Sequence, residues 1–144
     1  MDEYALQILQ VVASRSRFRI LNLLQKGVDH PEDLAARLEL RRQSVDKQLL
    51  ELYGWGFVDR SAVFPADGRP RIVYRLSSLG LTFIEKTSAL SQEYREEMLS
   101  DYRRSLGILE DELATGELDE GAYRKRRRSL ETRYDNFLRS EVEG

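Results

Sequence analysis

Residues 33–52 read DLAARLELRRQSVDKQLLEL. Leu34 and Leu38 are four apart, and so are Val45 and Leu49, with Leu52 three further on. That is helical spacing on each side of a break at Glu39-Leu40. The apolar positions 34, 38, 40, 45, 49 and 52 pack two helices against each other. The tight link between them forces a steep crossing.

Upstream, Asp29-His30-Pro31-Glu32-Asp33 sets the start of the first of these helices. It combines a capping residue, a proline for the first turn and acids at the positive helix end. Residues 4–26 carry Leu6, Leu9, Val12, Phe18, Leu21 and Leu24 at helical spacing. Ser14 and Ser16 interrupt them as N-caps, which predicts helices over 3–13 and 15–26, stopped by Gly27. His30 is expected as a cap or loop residue.

Downstream, Gly54 and Gly56 end the second helix, predicted over 42–53. Residues 57–63 and 71–76 favour strands, and the Asp67-Gly68 turn between Pro65 and Pro70 makes them a β-hairpin. From Ser77 the pattern is helical again: Phe83, Thr87, Leu90, Tyr94, Met98, Tyr102, Leu106, Leu109 and Leu113 step by three or four. Residues 114–119 break the run. A last helix is predicted over 119–141, with Tyr123, Leu130, Tyr134, Phe137, Leu138 and then Val142 on its stripe. The expected fold is mainly α with a small β-hairpin. It comprises a winged helix-turn-helix domain over 1–80 and an antiparallel helical hairpin over 78–142.

The formal net charge is −2, yet the charge is unevenly spread. Residues 37–75 carry 8 basic and 5 acidic side chains, against 11 and 15 in residues 76–144. A local basic patch matters more to phosphate binding than the total. The steep helix pair followed by a basic hairpin is the arrangement in which one helix enters a DNA major groove.

The stretch Ala13–Arg60 resembles the winged-helix core of ArsR-type regulators. The matching segments are Arg17-Phe18-Arg19-Ile20-Leu21-Asn22-Leu23-Leu24, Asp33-Leu34-Ala35, Ser44-Val45 through Leu49 to Leu52, and Gly56-Phe57-Val58. Gly68-Arg69-Pro70-Arg71 followed by Tyr74-Arg75-Leu76 looks like the wing of that superfamily and of PadR-type regulators. The resemblance covers roughly residues 11–87 and implies a homodimeric repressor-like fold. The chain departs from the metal-sensing members, since it has no cysteine and a single histidine. Leu50 stands where a polar residue is usual, and Asp46 adds a negative charge to the same helix.

Helix geometry names the expected DNA contacts. With Val45, Leu49 and Leu52 inward, Gln43 and Lys47 point almost opposite. Arg41, Arg42 and Ser44 sit at the N-terminal end, where a recognition helix comes closest to the bases. Gln43 suits adenine and Arg42 suits guanine or phosphate. Arg69 and Arg71 on the wing, with Arg60 and Arg75 on the strands, suit phosphates or the minor groove. The expected partners are double-stranded DNA and a second copy of the chain, with the effector ligand unknown. The alternative is a protein-docking module working with transcription machinery.

Other classes find little support. No three-ligand transition-metal site is expected from one histidine and no cysteine. No catalytic set, dinucleotide loop or P-loop is present, so neither enzyme nor cofactor is expected. With no long apolar run and no signal core at the N-terminus, a cytoplasmic protein is expected. The run Arg124-Lys125-Arg126-Arg127-Arg128 goes round a helix, and Glu110-Asp111-Glu112 is expected to meet it across the hairpin as solvated ion pairs. Tyr53 and Trp55 are expected as structural wedges between helix and strand.

Overall fold

The computed structural model describes residues 1–142, with side chains to residue 139. Val142, expected on the last stripe, has its side chain outside the described residues. The elements are α1 (Glu3–Val12), α2 (Arg15–Gln25), α3 (Pro31–Leu38), α4 (Arg42–Gly54), β1 (Val58–Val63), β2 (Arg71–Leu76), α5 (Ser78–Ala114), α6 (Glu120–Arg133) and α7 (Asp135–Val142). They form two compact units, Met1–Glu85 and Lys86–Gly144.

In the first unit, Ile20 of α2, Leu34 of α3 and Val45, Leu49 and Leu52 of α4 are fully buried. Phe57, Val58 and Tyr74 close the core from the hairpin side. Burying each large apolar side chain stabilises the fold by about 1.5–3 kcal/mol. Phe18, expected on this stripe, is instead exposed. At about 100° per residue it lies more than 100° from the middle of the arc set by Ile20, Leu21 and Leu24.

Local chemistry places the helix ends. Asp2 accepts a hydrogen bond from the Ala5 N–H at 2.8 Å, and Ser14 accepts from Arg17 N–H at 3.4 Å, so Ser14 divides α1 from α2. The α3 N-cap is His30, which makes no side-chain capping bond; Pro31 opens the helix. His30 is thus the cap residue expected from the sequence, and the preceding Asp29 uses its carbonyl to accept the Tyr74 N–H at 3.0 Å. That bond ties the start of α3 to β2. At the other end Glu39 adopts a left-handed conformation (φ 55), and the Leu40 N–H reaches the Ala35 carbonyl at 3.0 Å. This is the tight turn that aims α4.

The hairpin pairs antiparallel from Val58↔Leu76 to Val63↔Arg71. Ser77 caps α5: its hydroxyl donates to the Gly56 carbonyl at 2.6 Å and accepts the Gly80 N–H at 2.8 Å. Gly80 lies directly against the Phe57 backbone, where a Cβ would overlap the carbonyl oxygen.

The second unit is an antiparallel helical hairpin. The Leu118 N–H bonds the Glu112 carbonyl at 3.1 Å in the turn, and Asp119 caps α6 by accepting from Ala122 N–H at 2.7 Å. Tyr102 meets Tyr134 with ring centroids 5.6 Å apart, and Tyr94 meets Phe137 at 6.1 Å. The two pairs run in opposite chain directions, as antiparallel helices require. The single helix expected over 119–141 is broken at Tyr134. Just before the break the Thr132 hydroxyl donates to the Arg128 carbonyl at 3.0 Å, the back-bonding that bends helices.

Residues 124–128 are all exposed. Arg126 meets Glu112 across the hairpin at 3.5 Å, whereas Arg124 and Arg127 pair along α6 with Glu120 and Glu131. Arg127 donates to the Tyr123 hydroxyl and to the Glu131 carboxylate, and these two bonds, in that order, raise its pKa.

Candidate nucleic-acid interface

The buried face of α4 fixes its outer face. With Val45, Leu49 and Leu52 in the core, Arg41, Gln43 and Lys47 are exposed and Ser44 is half-buried. Gln48, on the flank, accepts a hydrogen bond from Arg17 Nη1 at 2.7 Å, while Arg17 Nε donates to the Val11 carbonyl. One guanidinium therefore fastens α4 to the junction of α1 and α2. This clamp had no local signal, because its partners lie 31 positions apart.

Arg42 is held from two sides. Its Nε donates to Asp46 Oδ1 at 3.0 Å, and its Nη1 reaches Glu32 Oε1 at 3.2 Å. The hydrogen bond to Asp46 is the main reason its pKa is raised, with the nearby charge of Glu32 adding to it. Arg42 remains a cation with a fixed direction, and it links the first turn of α3 to the first turn of α4. Asp46 acts on Arg42 as an orienting partner. Glu32 was missed as its second partner, ten residues upstream.

The wing tip turns on local bonds. The Gly68 N–H bonds the Pro65 carbonyl at 3.0 Å, with Gly68 at φ 85, and Arg71 Nη2 lies 3.5 Å from Asp67 Oδ2. Arg69 is exposed. A cleft of about 500 Å³ opens between wing and helices, lined by His30, Pro31, Glu32, Asp33, Arg42, Arg69, Pro70, Arg71 and Ile72. It brings together Arg42, Arg69 and Arg71 from the expected contacts. Arg41, Gln43, Ser44 and Lys47 are not among its lining residues.

The strand arginines are partly occupied. The Arg60 guanidinium lies 4.8 Å over the Tyr53 ring, a cation–π contact. Arg75 stands 3.9 Å from Asp29, whose other oxygen is 3.7 Å from His30. Trp55 packs against the core as a half-buried residue, whereas Tyr53 stays exposed beneath Arg60. Among the described residues there is no group of three potential metal ligands, and no helix is long and apolar enough to cross a membrane.

No family model matches this chain, and no curated protein does. Solved structures do. The chain is similar to a transcriptional regulator of the MarR family from Enterococcus faecalis V583, at 18% identity and TM-score 0.57, over 72% of this chain and 94% of that one. It is similar to the reduced form of the transcriptional regulator YodB from B. subtilis, at 14% identity and TM-score 0.56, over 64% and 89%. A MepR mutant from a multidrug resistant S. aureus clinical isolate matches at 14% identity and TM-score 0.53, over 92% and 84%. These likenesses establish the fold alone: mainly helical, with a two-stranded antiparallel hairpin as the wing.

Proposed function

We propose that this chain is a transcription regulator that binds duplex DNA sequence-specifically as a homodimer. The observation that carries this reading is the cleft in which Arg42 of the recognition helix faces Arg69 and Arg71 of the wing. Beside it α4 presents Arg41, Gln43 and Lys47 to solvent. A helix that reads base edges and a wing that holds phosphate need this juxtaposition. We assign DNA contacts to Arg41, Arg42, Gln43, Ser44, Lys47, Arg69 and Arg71, and assign no catalytic residue.

Residues 1–80 supply the DNA-binding domain and residues 78–142 the dimerisation element in this reading. Each unit supports a dimer with its own exposed apolar residues: Tyr4, Leu6 and Leu9 on α1, and Leu90, Tyr94 and Ile108 on α5. Such residues cost less when a partner covers them. The ArsR-like assignment rests on the motifs within residues 11–87. The solved structures include MarR-family regulators as well, so we place the chain in the wider group first. A cytoplasmic location follows from this role.

A second reading has one observation in its favour. Leu50 and Tyr53 are exposed on the C-terminal half of α4, an apolar pair suited to a protein-docking surface. Selection of duplexes from a random pool separates the two. Enrichment of a common half-site, bound in the presence of competitor DNA, supports regulation by DNA binding. A pool that never departs from random supports docking.

A further inference from the structure

The wing carries an apolar end that phosphate contacts do not explain. Phe64 is 78% exposed, and Ile72 across the hairpin is 52% exposed. Ala62 pairs with Ile72 in the register. Phe64 directly follows the end of β1 at Val63, and Pro65 after it favours extended backbone there. Ala62 and Ile72 lie on the face that, nearer the core, carries Val58, Arg60 and Tyr74, and Phe64 stands just beyond them. Beyond Arg60 the outer end of the wing is therefore apolar, with Ala62, Ile72 and Phe64. Ile72 also lines the cleft that holds Arg42, Arg69 and Arg71 beside Glu32 and Asp33, so the apolar end of the wing adjoins these charged side chains.

We propose that Phe64 is a wedge that enters the DNA minor groove, partly unstacks one base step and bends the duplex. The inference rests on the DNA-binding reading above and adds how the wing uses that DNA. Three features favour a nucleic-acid occupant over a second protein. Arg69 and Arg71 stand on the returning limb of the same hairpin and match a phosphate-lined groove. The ring stands at the end of a narrow two-stranded projection, a shape that fits a groove and offers little area to a flat protein face. The tip is braced by Pro65, Pro70, the Gly68–Pro65 bond and the Asp67–Arg71 contact, so inserting the ring costs little conformational freedom. Apolar side chains inserted at a base step, with cations on the adjacent backbone, are an established way to kink a duplex. Flexible pyrimidine–purine steps are the natural target.

The test uses the full chain and a duplex selected from a random pool by the wild-type protein. The duplex carries a fluorophore pair at its ends to report bending and 2-aminopurine at steps under the wing to report unstacking. Binding is measured in parallel by anisotropy. The expected result is a bent duplex with raised 2-aminopurine emission for wild type. Phe64→Ala should bind about tenfold more weakly, corresponding to about 1.4 kcal/mol, and leave the duplex straight and stacked. Phe64→Leu keeps an apolar wedge and should restore most of the bend. A wild-type complex that is straight, or a bend retained by Phe64→Ala, overturns the wedge and leaves DNA binding standing. A wild-type protein that binds no duplex overturns the DNA-binding reading, and the wedge with it.

Discussion

Arg42 Nε donates to Asp46 Oδ1 at 3.0 Å, one turn along the same helix. The bond aims the guanidinium, and Glu32 holds its other side. An aimed guanidinium discriminates between bases because its paired donors meet a base edge at a set angle. A freely rotating one would follow any phosphate.

Asp46→Ala is therefore expected to lower discrimination, not general affinity. The preferred duplex should lose about 1–3 kcal/mol of binding. Random duplex should be bound as well as before, or slightly better, because a negative charge has gone. Titration of both duplexes at one salt concentration checks this. Equal weakening on the two would show that Asp46 supports the fold, not the aim of Arg42.

The basic run at 124–128 is expected to be dispensable for DNA affinity. Arg124, Arg126 and Arg127 each have a carboxylate partner within 4.0 Å. Replacing these three arginines by Gln should leave the slope of log affinity against log salt nearly unchanged, since few counterions are released there. A fall of two or more units in that slope would place phosphate on the hairpin.

Two glycines of α5 should respond oppositely to the same substitution. Gly80→Ala drives a methyl group into the Phe57 carbonyl and should cost about 1–3 kcal/mol. Gly107→Ala meets nothing within 4 Å and should gain up to about 1 kcal/mol from helix propensity. Urea denaturation of the two variants beside wild type settles both signs.

The chain is expected to be a dimer at micromolar concentration. Sedimentation equilibrium should give twice the 16.8 kDa chain mass. Leu6→Glu with Leu9→Glu places two charges on the exposed apolar side of α1 and should shift the mass toward monomer. A monomeric mass for wild type would refute the dimer.

The spacing of Leu34, Leu38, Val45, Leu49 and Leu52 made the helix pair legible in the sequence, because buried positions repeat with the helical period. The wing was legible because Asp67-Gly68 between two prolines leaves the chain little choice but to turn. The outward placing of Gln43 and Lys47 followed from the same phase. Long-range pairings were not legible. Glu32 with Arg42, and Arg17 with Gln48, are set by how helices cross, and no local spacing encodes that. The break at Tyr134 was hidden because the apolar stripe continues through it. Phe64, just beyond the end of β1, was not singled out, since exposure beside a turn leaves no periodic trace.

DNA reading by α4 is tested most sharply by comparing Gln43→Ala, Lys47→Ala, Arg69→Ala and Arg71→Ala on the selected duplex and on random duplex across several salt concentrations, with the folding of each variant verified. Gln43 carries a bidentate amide and no charge on the outer face of α4. Its removal should cost about 1–3 kcal/mol on the selected duplex and much less on random duplex. Removal of Arg69 or Arg71 should weaken both duplexes by similar factors and reduce the salt slope by roughly one unit for each phosphate no longer neutralised. If Gln43→Ala and Lys47→Ala both left the selected duplex bound as in wild type, α4 would not be the reading helix, and the exposed Leu50 and Tyr53 would mark a protein-docking surface instead.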